Sequence, residues 1–198
     1  MEILKKSFGA KPLTGPFPVY IIGYNDDQEI PNLVAVSWAG MVCSEPPCVS
    51  ISLRKIRHSY LSIMKNRAFT VNVPSLNQID SADFTGSISG KKCKKFDLTG
   101  LSPKYFDGYN APFVDEYPVN AICQLMHTID LGTHTVFIGE IKEYLVNENA
   151  LDDSGKPDIE KVNPFIYDIN SRHYYSLGEK KSLAYNSKKI FIKEDIDE

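Results

Sequence analysis

The sequence predicts a mainly β protein in which long antiparallel strands close into a barrel, with one or two short helices added. Most apolar segments are short, rich in Val, Ile, Phe and Tyr, and separated by Gly, Pro and Asn, which is typical of strands. About six of these segments are long, and several are apolar on both faces. A barrel buries the inner faces and leaves no exposed edge, which favours it over an open sheet.

The first two strands are predicted over residues 17–24 and 33–42, with the polar residues 25–28 as the turn between them. This arrangement is typical of an antiparallel hairpin. The second strand is expected to end at Glu45-Pro46-Pro47, because consecutive prolines cannot donate to a central ladder.

Residues 48–54 form the third predicted strand, in which apolar and polar side chains alternate. One face, expected to be the core, carries Val49, Ile51 and Leu53. The other face carries Ser50, Ser52 and Arg54.

Helical spacing appears over residues 58–66, where Ser59 is available as the N-cap, and again near residues 79–84. The second helix lies in a long irregular stretch, residues 75–112, that includes the lysine-rich loop 90–96. An irregular segment of this length between the strands of a small sheet usually has a functional role. The remaining strands are predicted over residues 68–73, 119–129 and 134–146.

Length and composition fit one globular domain. The chain has 198 residues, of which 42% are hydrophobic and 24% charged, and this excludes a disordered or fibrous class. We expect a single domain over residues 1–198, with its core from about 12 to 180 and a charged C-terminal tail over 181–198.

Charge, hydropathy and cysteine content limit the classes of partner and ligand that the chain is expected to bind. A net charge of -3 gives no general attraction for nucleic acid, so any anion site must be local. No apolar run approaches the about 20 residues that cross a bilayer, and no signal peptide is evident, so we expect a cytoplasmic protein without a membrane partner. The cysteines lack metal-ligand or disulfide-framework spacing, so we expect no metal and mostly buried, reduced thiols at Cys43, Cys48, Cys93 and Cys123.

The strongest candidate site is the polar strand face that runs into the first helix. Ser52 and Arg54 project on one side of the sheet, and Ser59 opens the helix that follows. Hydroxyls, a guanidinium and unpaired N–H groups at a helix start are suited to a phosphate. The alternative is a solvated strand face followed by an ordinary cap.

Three further residues are candidates. Trp38 is flanked by the small residues Ser37, Ala39 and Gly40, which would let a flat ring approach the backbone, although core packing explains a tryptophan equally well. Lys95, beside Phe96, is either an anion ligand or part of a solvated charge run. His134 begins a strand and is either structural or a hydrogen-bond donor beside a redox ring. No dinucleotide-binding, P-loop, calcium-loop or nucleophile-elbow motif is present.

Together these segments resemble the flavin reductase-like FMN-binding split-barrel family, and most closely its flavoredoxin branch. The order and spacing of the matching strings run from about residue 12 to 180. The strings are residues 17–19, 32–40, 43–47, 49–54 with Ser59, 69–74, 87–90 with Lys95-Phe96, 118–120 and 131–140.

The resemblance implies a six-stranded antiparallel split barrel with short helices, which binds FMN non-covalently and pairs as a homodimer with the flavin near the interface. By position, Ser37, Trp38 and Ala39 would line the isoalloxazine, and Cys43 and Ser44 would help to hold it. Ser52, Arg54 and Ser59 would hold the phosphate, while Ser89 and Lys95 would complete the cofactor site from the long loop. The neighbouring lysines leave open which one makes the contact.

The implied function is a flavoprotein oxidoreductase of the flavin reductase type. NAD(P)H would deliver hydride to FMN N5, electrons would pass to an acceptor, and His134 would lie beside the nicotinamide as the catalytic candidate. Two alternatives remain: an electron carrier that receives electrons from a donor protein and has no nicotinamide activity, and a non-catalytic FMN-binding protein.

Overall fold

The computed structural model describes residues 3–185, and the predicted tail therefore lies mostly outside the described residues. The strands in this part are β1 (Phe17–Pro18), β2 (Tyr20–Asn25), β3 (Pro31–Val36), β4 (Ala39–Ser44), β5 (Pro47–Arg54), β6 (Ala68–Val73), β7 (Pro103–Lys104), β8 (Phe113–Val114), β9 (Val119–Asp130), β10 (His134–Val146), β11 (Phe165–Asp168) and β12 (His173–Ser176). The helices are α1 (Ser59–Asn66), α2 (Ile79–Ser87), α3 (Lys95–Thr99) and α4 (Ile159–Val162), with 3-10 turns at Leu76–Gln78 and Glu148–Ala150.

Seven strands form one antiparallel sheet in the order β3-β2-β6-β9-β10-β5-β4. The strands at its two ends, β3 and β4, follow one another along the chain and are joined only by Ser37 and Trp38. The sheet must therefore curl until its ends meet. Within residues 3–185 no ladder pairs β3 with β5 or β4, so the barrel is split there rather than closed.

The barrel interior receives apolar side chains from six strands. One buried cluster unites Ile22 of β2, Val34 of β3, Ile51 of β5, Phe69 of β6, Leu125 of β9 and Phe137 of β10. Ile63 of α1 joins the same cluster, and the Tyr60 ring packs edge-on against Phe137 at 5.3 Å between ring centroids. The sequence-based prediction of a mainly β, antiparallel split barrel with short helices is confirmed, with seven strands in the sheet where six were predicted.

A second apolar layer covers the outer face of β2 and β3. Leu33 of β3 packs there with Ala82 of α2, Phe96 of α3 and Phe165 of β11. A small three-stranded sheet, β1-β11-β12, lies at this side. Both faces of β3 are therefore covered, which explains the apolar run over residues 33–36.

Several predicted boundaries need correction. The strand predicted over residues 33–42 is two strands, because the chain leaves the sheet at Ser37 and Trp38 to pass between its two ends. Ser59 is not the N-cap of α1: His58 occupies that position and Ser59 is the first helical residue. The predicted lysine-rich loop 90–96 ends earlier than expected, because α3 begins at Lys95 and runs to Thr99.

The expectation that the cysteines are mostly buried holds for two of the four. The four cysteines are free thiols, but Cys43 is exposed and Cys93 half-buried, while Cys48 and Cys123 are buried. Within residues 3–185, the helices are all too short or too polar to cross a membrane.

Candidate functional site

A cleft lies where the barrel is split, between β3 and β5. It consists of two adjoining cavities of about 310 Å³ and 210 Å³, both lined by Val34, Arg54 and Arg57. The larger, here called the cation cavity, is completed by Ser59, Ser89, Lys95 and their neighbours. The smaller, the tryptophan cavity, is completed by Ser37, Trp38, Ser52, His134 and adjacent backbone.

Ser59 is the most informative residue of the cation cavity. Its side chain is 1% exposed, and its hydroxyl is buried without a hydrogen-bond partner in the described part of the chain. Leaving such a group unsatisfied costs about 1–3 kcal/mol. Because Ser59 lines the cavity at the start of α1, an anion bound there would supply the missing acceptor.

Positive charge dominates the cleft. The cations Arg54, Arg57 and Lys95 line the cation cavity, and no carboxylate among residues 3–185 lines either cavity. None of these three side chains forms an ion pair among residues 3–185. The cleft thus concentrates positive charge on a chain whose net charge is -3.

Lys95 is the loop lysine that the structure brings to the cavity. The residue is 2% exposed, and its ammonium donates to the carbonyl oxygens of Leu33 at 2.7 Å and Thr85 at 2.5 Å. Burial lowers the pKa of Lys95 to about 8, with Cys93 opposing this shift and the Arg57 charge adding to it. An anion in the cavity would favour the charged form. Lys92 and Lys94 are exposed and lie outside the lining.

The depressed pKa of Lys95 predicts how stability depends on pH. The folded pKa, about 8, lies below the usual 10.5, so between these values the unfolded chain holds more protons and stability rises with pH. For the protein without a bound anion, we expect the free energy of unfolding to rise by about 1–2 kcal/mol from about pH 8 to 9.5, relative to Lys95→Met. Urea denaturation of both proteins measures this, and parallel pH profiles would contradict it.

The backbone at Gly90 closes one wall of the cation cavity. A Cβ at this position would lie 2.7 Å from the Tyr24 hydroxyl and 2.9 Å from Nδ2 of Asn32 and Nδ1 of His58. The Asn32 amide donates to the Gly90 carbonyl at 3.3 Å, and the Tyr24 hydroxyl contacts the His58 ring nitrogen at 3.2 Å. Only glycine lets the Ser89 segment approach the barrel this closely.

The tryptophan cavity offers a flat apolar wall beside polar groups. Trp38 is half-buried and packs on Phe17, with 5.0 Å between ring centroids. The Ser52 backbone N–H donates to the Trp38 carbonyl at 2.9 Å and fixes the link between the two sheet ends. His134 pairs in register with Arg54, and its Nδ1 contacts the Thr133 hydroxyl at 3.0 Å.

Three of the sequence-based site residues lie outside both cavities. Ala39 pairs with Ile51 on β4 but lines neither cavity. Cys43 and Ser44 are exposed near the far end of β4, and the Cys43 thiol donates to the Glu45 carbonyl at 3.3 Å. Their assignment to the cofactor site stays a prediction.

Sequence reasoning missed Arg57, Tyr24, His58 and Gly90 as lining residues. Arg57 carried a usable signal, because it is a second guanidinium three residues after Arg54 and just before the helix start. The remaining three lie on β2, in the β5–α1 loop and in the loop after α2. These segments are distant in sequence and adjoin only in the folded protein, so local patterns do not reveal them.

Comparisons with known proteins agree with this geometry. A family model described as flavin reductase like domain matches residues 14–178. The match covers most of the chain, which is therefore a member of the flavin reductase-like family. Within it, the chain belongs to the flavoredoxin branch.

Three solved structures show the similarity. Flavoredoxin of Desulfovibrio vulgaris (Miyazaki F) is 41% identical, with a TM-score of 0.87 over 93% of this chain and 99% of that one. Flavoredoxin from Methanosarcina acetivorans is 28% identical, with a TM-score of 0.87 over 97% and 100% of the two chains. A split barrel domain protein from Shewanella frigidimarina NCIMB 400 is 27% identical, with a TM-score of 0.77 over 86% and 87%.

Proposed function

We propose that this chain binds FMN non-covalently in the cleft and acts as an NAD(P)H-dependent reductase. The observation that carries this proposal is the buried Ser59 hydroxyl, which has no hydrogen-bond partner in the described part of the chain and lies among Arg54, Arg57 and Lys95 in a cavity whose described lining has no carboxylate. That donor set fits a dianionic phosphate, and the adjoining tryptophan cavity fits the edge of a flat ring.

Each group in the cleft has a distinct task. Arg54, Ser59 and Lys95 would hold the phosphate, while Trp38 and Ser52 would border the ring and limit its contact with water. When bound, FMN supplies the hydride and electron chemistry, so the protein needs no dedicated acid or base. The cationic side chains of the cleft favour an added negative charge on the ring by simple attraction.

The reductase proposal is tested by anaerobic rapid mixing of the FMN-loaded protein with NADH or NADPH. We expect the visible flavin absorbance to bleach with at least one of them. A flavin that stays oxidised with both, but is reduced by dithionite, would contradict the reductase.

His134 is expected to affect nicotinamide turnover rather than FMN binding. It lines the tryptophan cavity and is half-buried, so its ring is accessible to a molecule resting on the flavin. For His134→Ala we expect about a tenfold slower reduction by NAD(P)H, the effect of one lost hydrogen bond, and an FMN Kd within about twofold of wild type. His127→Ala, an exposed histidine on β9, is the matched control. Equal rates in all three proteins would remove His134 from the mechanism.

The second candidate function is an electron carrier without nicotinamide activity, which the similarity to two flavoredoxins favours. Such a carrier would use the same FMN site but would be reduced by a donor protein. Rapid reduction by a reduced ferredoxin-type donor, together with slow reduction by both nicotinamides, would select the carrier.

We also propose that the protein is a homodimer. The end strand β4 exposes Met41 (61%) and Val42 (53%) next to Cys43 and Ser44, and its outer edge is unpaired among the described residues. A second copy would cover this edge, which solvent otherwise reaches. Size-exclusion chromatography with light scattering should give the mass of two chains; the mass of one chain would contradict the dimer.

A further inference from the structure

Two cysteines face each other across the β4–β5 hairpin. Cys43 of β4 pairs in register with Cys48 of β5, and Ser44 pairs with Pro47, so a turn of two residues closes the hairpin. Directly opposed residues of an antiparallel ladder have Cα atoms about 4.5–5.5 Å apart and side chains on the same face. A disulfide needs a Cα separation of about 4.4–6.8 Å. The register therefore places the two thiols where one bond could join them.

The other two cysteines have no such partner among residues 3–185. Cys123 lies on β9, and β10 separates that strand from β5 in the sheet. Two strand spacings amount to about 9.5 Å, which is too far for a disulfide to Cys48. Cys93 precedes α3, and its carbonyl oxygen accepts from the Asn32 amide at 3.4 Å. Asn32 lies near the start of β3 and Cys43 near the end of β4, on opposite sides of the break between these strands.

Access and acidity give the two hairpin thiols different roles. Cys43 is exposed, so an oxidant in solution reaches it, whereas Cys48 is 5% exposed. Burial raises the pKa of the Cys48 thiol, nearby Cys43 and Glu140 raise it further, and Lys142 opposes the shift. Because the thiolate is the reactive form, we expect Cys43 to react first and Cys48 second.

Weak contacts hold both sulfur atoms in the reduced protein. The Cys43 thiol donates to the Glu45 carbonyl at 3.3 Å, and the Cys48 thiol lies 3.9 Å from the Met126 sulfur. A thiol is a weak donor, so either side chain can turn toward the other at little cost. The ladder register shifts between Met41 and Cys43, and only two residue pairs lie between this irregularity and the turn. The end of the hairpin can therefore adjust while β5 stays in place, because β5 is also paired with β10.

We propose that Cys43 and Cys48 are a reversible redox site that hydrogen peroxide converts to a disulfide. The Cys43 thiolate attacks one peroxide oxygen, so that an S–O bond forms and the O–O bond breaks. The released hydroxide takes up a proton, which leaves a sulfenic acid and one water. The Cys48 sulfur then attacks the sulfenic sulfur; an S–S bond forms, the S–O bond breaks, and the Cys48 proton joins the departing hydroxide as a second water. Two electrons thus pass from the sulfur atoms to the peroxide.

The disulfide would protect Cys43 and fasten the end strand to its neighbour. A sulfenic acid with no thiol nearby is oxidised further to a sulfinic acid, which ordinary thiols do not reduce. A disulfide near the surface stays accessible to reducing thiols, so the pair can return to its starting state. Neither step needs bound FMN, and the redox site is therefore independent of the proposed function.

The test treats the reduced protein with a small excess of hydrogen peroxide and counts the remaining thiols by alkylation in denaturant and mass spectrometry. The matched control is Cys93→Ser, which removes a half-buried cysteine outside the hairpin. We expect the count to fall from four to two in wild type and from three to one in the control, and dithiothreitol to restore both. No lysine or arginine lies between Cys43 and Cys48, so the bond is found within one tryptic peptide that becomes about 2 Da lighter.

The Cys48→Ser variant separates a paired site from a merely exposed thiol. Without its partner, Cys43 is expected to reach the sulfinic acid, about 32 Da heavier, and dithiothreitol should not reverse this. The wild-type thiol count and peptide mass need no variant, so they decide the matter even if Cys48→Ser does not fold.

Four remaining thiols in treated wild type would overturn the inference, as would a bond that involves Cys93 or Cys123. Chains that run as disulfide-linked pairs on a non-reducing gel would also overturn it, because the bond would then join two copies rather than two strands of one chain. None of these results bears on FMN binding or on reduction by NAD(P)H.

Discussion

Replacing Arg54 and Ser59 together by alanine is expected to weaken FMN binding by about a hundredfold or more. Hydrogen bonds to charged groups contribute about 1.5–3 kcal/mol each, and every 1.4 kcal/mol is a factor of ten in Kd. Ser59 adds a further effect, because its hydroxyl is buried without a partner until an anion arrives. The FMN Kd is measured by quenching of flavin fluorescence on titration with the protein.

Riboflavin is the internal control, because it has the same ring without the phosphate. Its Kd should change by less than about threefold in the double variant, since the lost contacts lie in the cation cavity. Ser50→Ala is the matched protein control: Ser50 lies on the same strand, but its hydroxyl donates to the Gly40 carbonyl at 3.3 Å, and it lines neither cavity of the cleft. Undiminished FMN affinity in the double variant would refute the phosphate site.

Phe69→Ala is expected to lower the free energy of unfolding by about 3–5 kcal/mol, the usual cost of deleting a fully buried aromatic ring. Phe69 is 0% exposed and lies in the barrel cluster on β6. Its ring also fills the space above Gly139 of β10, where a Cβ would lie 2.5 Å from the Phe69 Cζ atom. Urea denaturation followed by circular dichroism measures the loss.

Gly139→Ala tests whether this contact causes the effect. In the wild-type background it should cost about 1–3 kcal/mol through overpacking, and in the Phe69→Ala background much less, because the ring that it meets is gone. The two substitutions should therefore couple by about 1 kcal/mol or more in a double-mutant cycle. If Gly139→Ala costs the same in both backgrounds, the packing described here is wrong.

The barrel could be predicted from sequence because its strands carry strong local signals. The alternation of Val49, Ile51 and Leu53 with polar residues placed one face of β5 in the core, and the structure buries all three. The bounds of Ala68–Val73 and His134–Val146 agree with the predicted ranges. A period of two depends only on which face is buried, so neighbouring residues are enough to reveal it.

The elements that were predicted wrongly or not at all are those whose structure depends on contacts with segments distant in sequence. The break at Ser37 and Trp38 follows from the need to join the two ends of the sheet, which no local pattern encodes. Helix α3 has five residues, too few for a periodic signal. Strands β11 and β12 went unpredicted because each has only four residues, and because β1, the other partner of β11, is two residues long and lies far away along the chain.

Part of the site was predictable for the same reason. Arg54 and Ser59 are close in sequence, and the strand-to-helix step brings both into the cation cavity. Ser50, on the same predicted face, is instead engaged by the Gly40 carbonyl of β4. Which serines are free to meet a ligand depends on strand pairing, which the sequence alone does not reveal.

The walls of the cation cavity differ in whether strand pairing fixes their backbone. Val34 and Arg54 belong to strands that are fixed by ladders, whereas Ile56–His58 and Ile88–Gly90 lie in loops. Loops rearrange far more readily than paired strands, so these two segments are the part of the wall that moves first when a bound molecule leaves. We therefore expect these two loops to govern the residence time of the cofactor, while the barrel governs only its orientation.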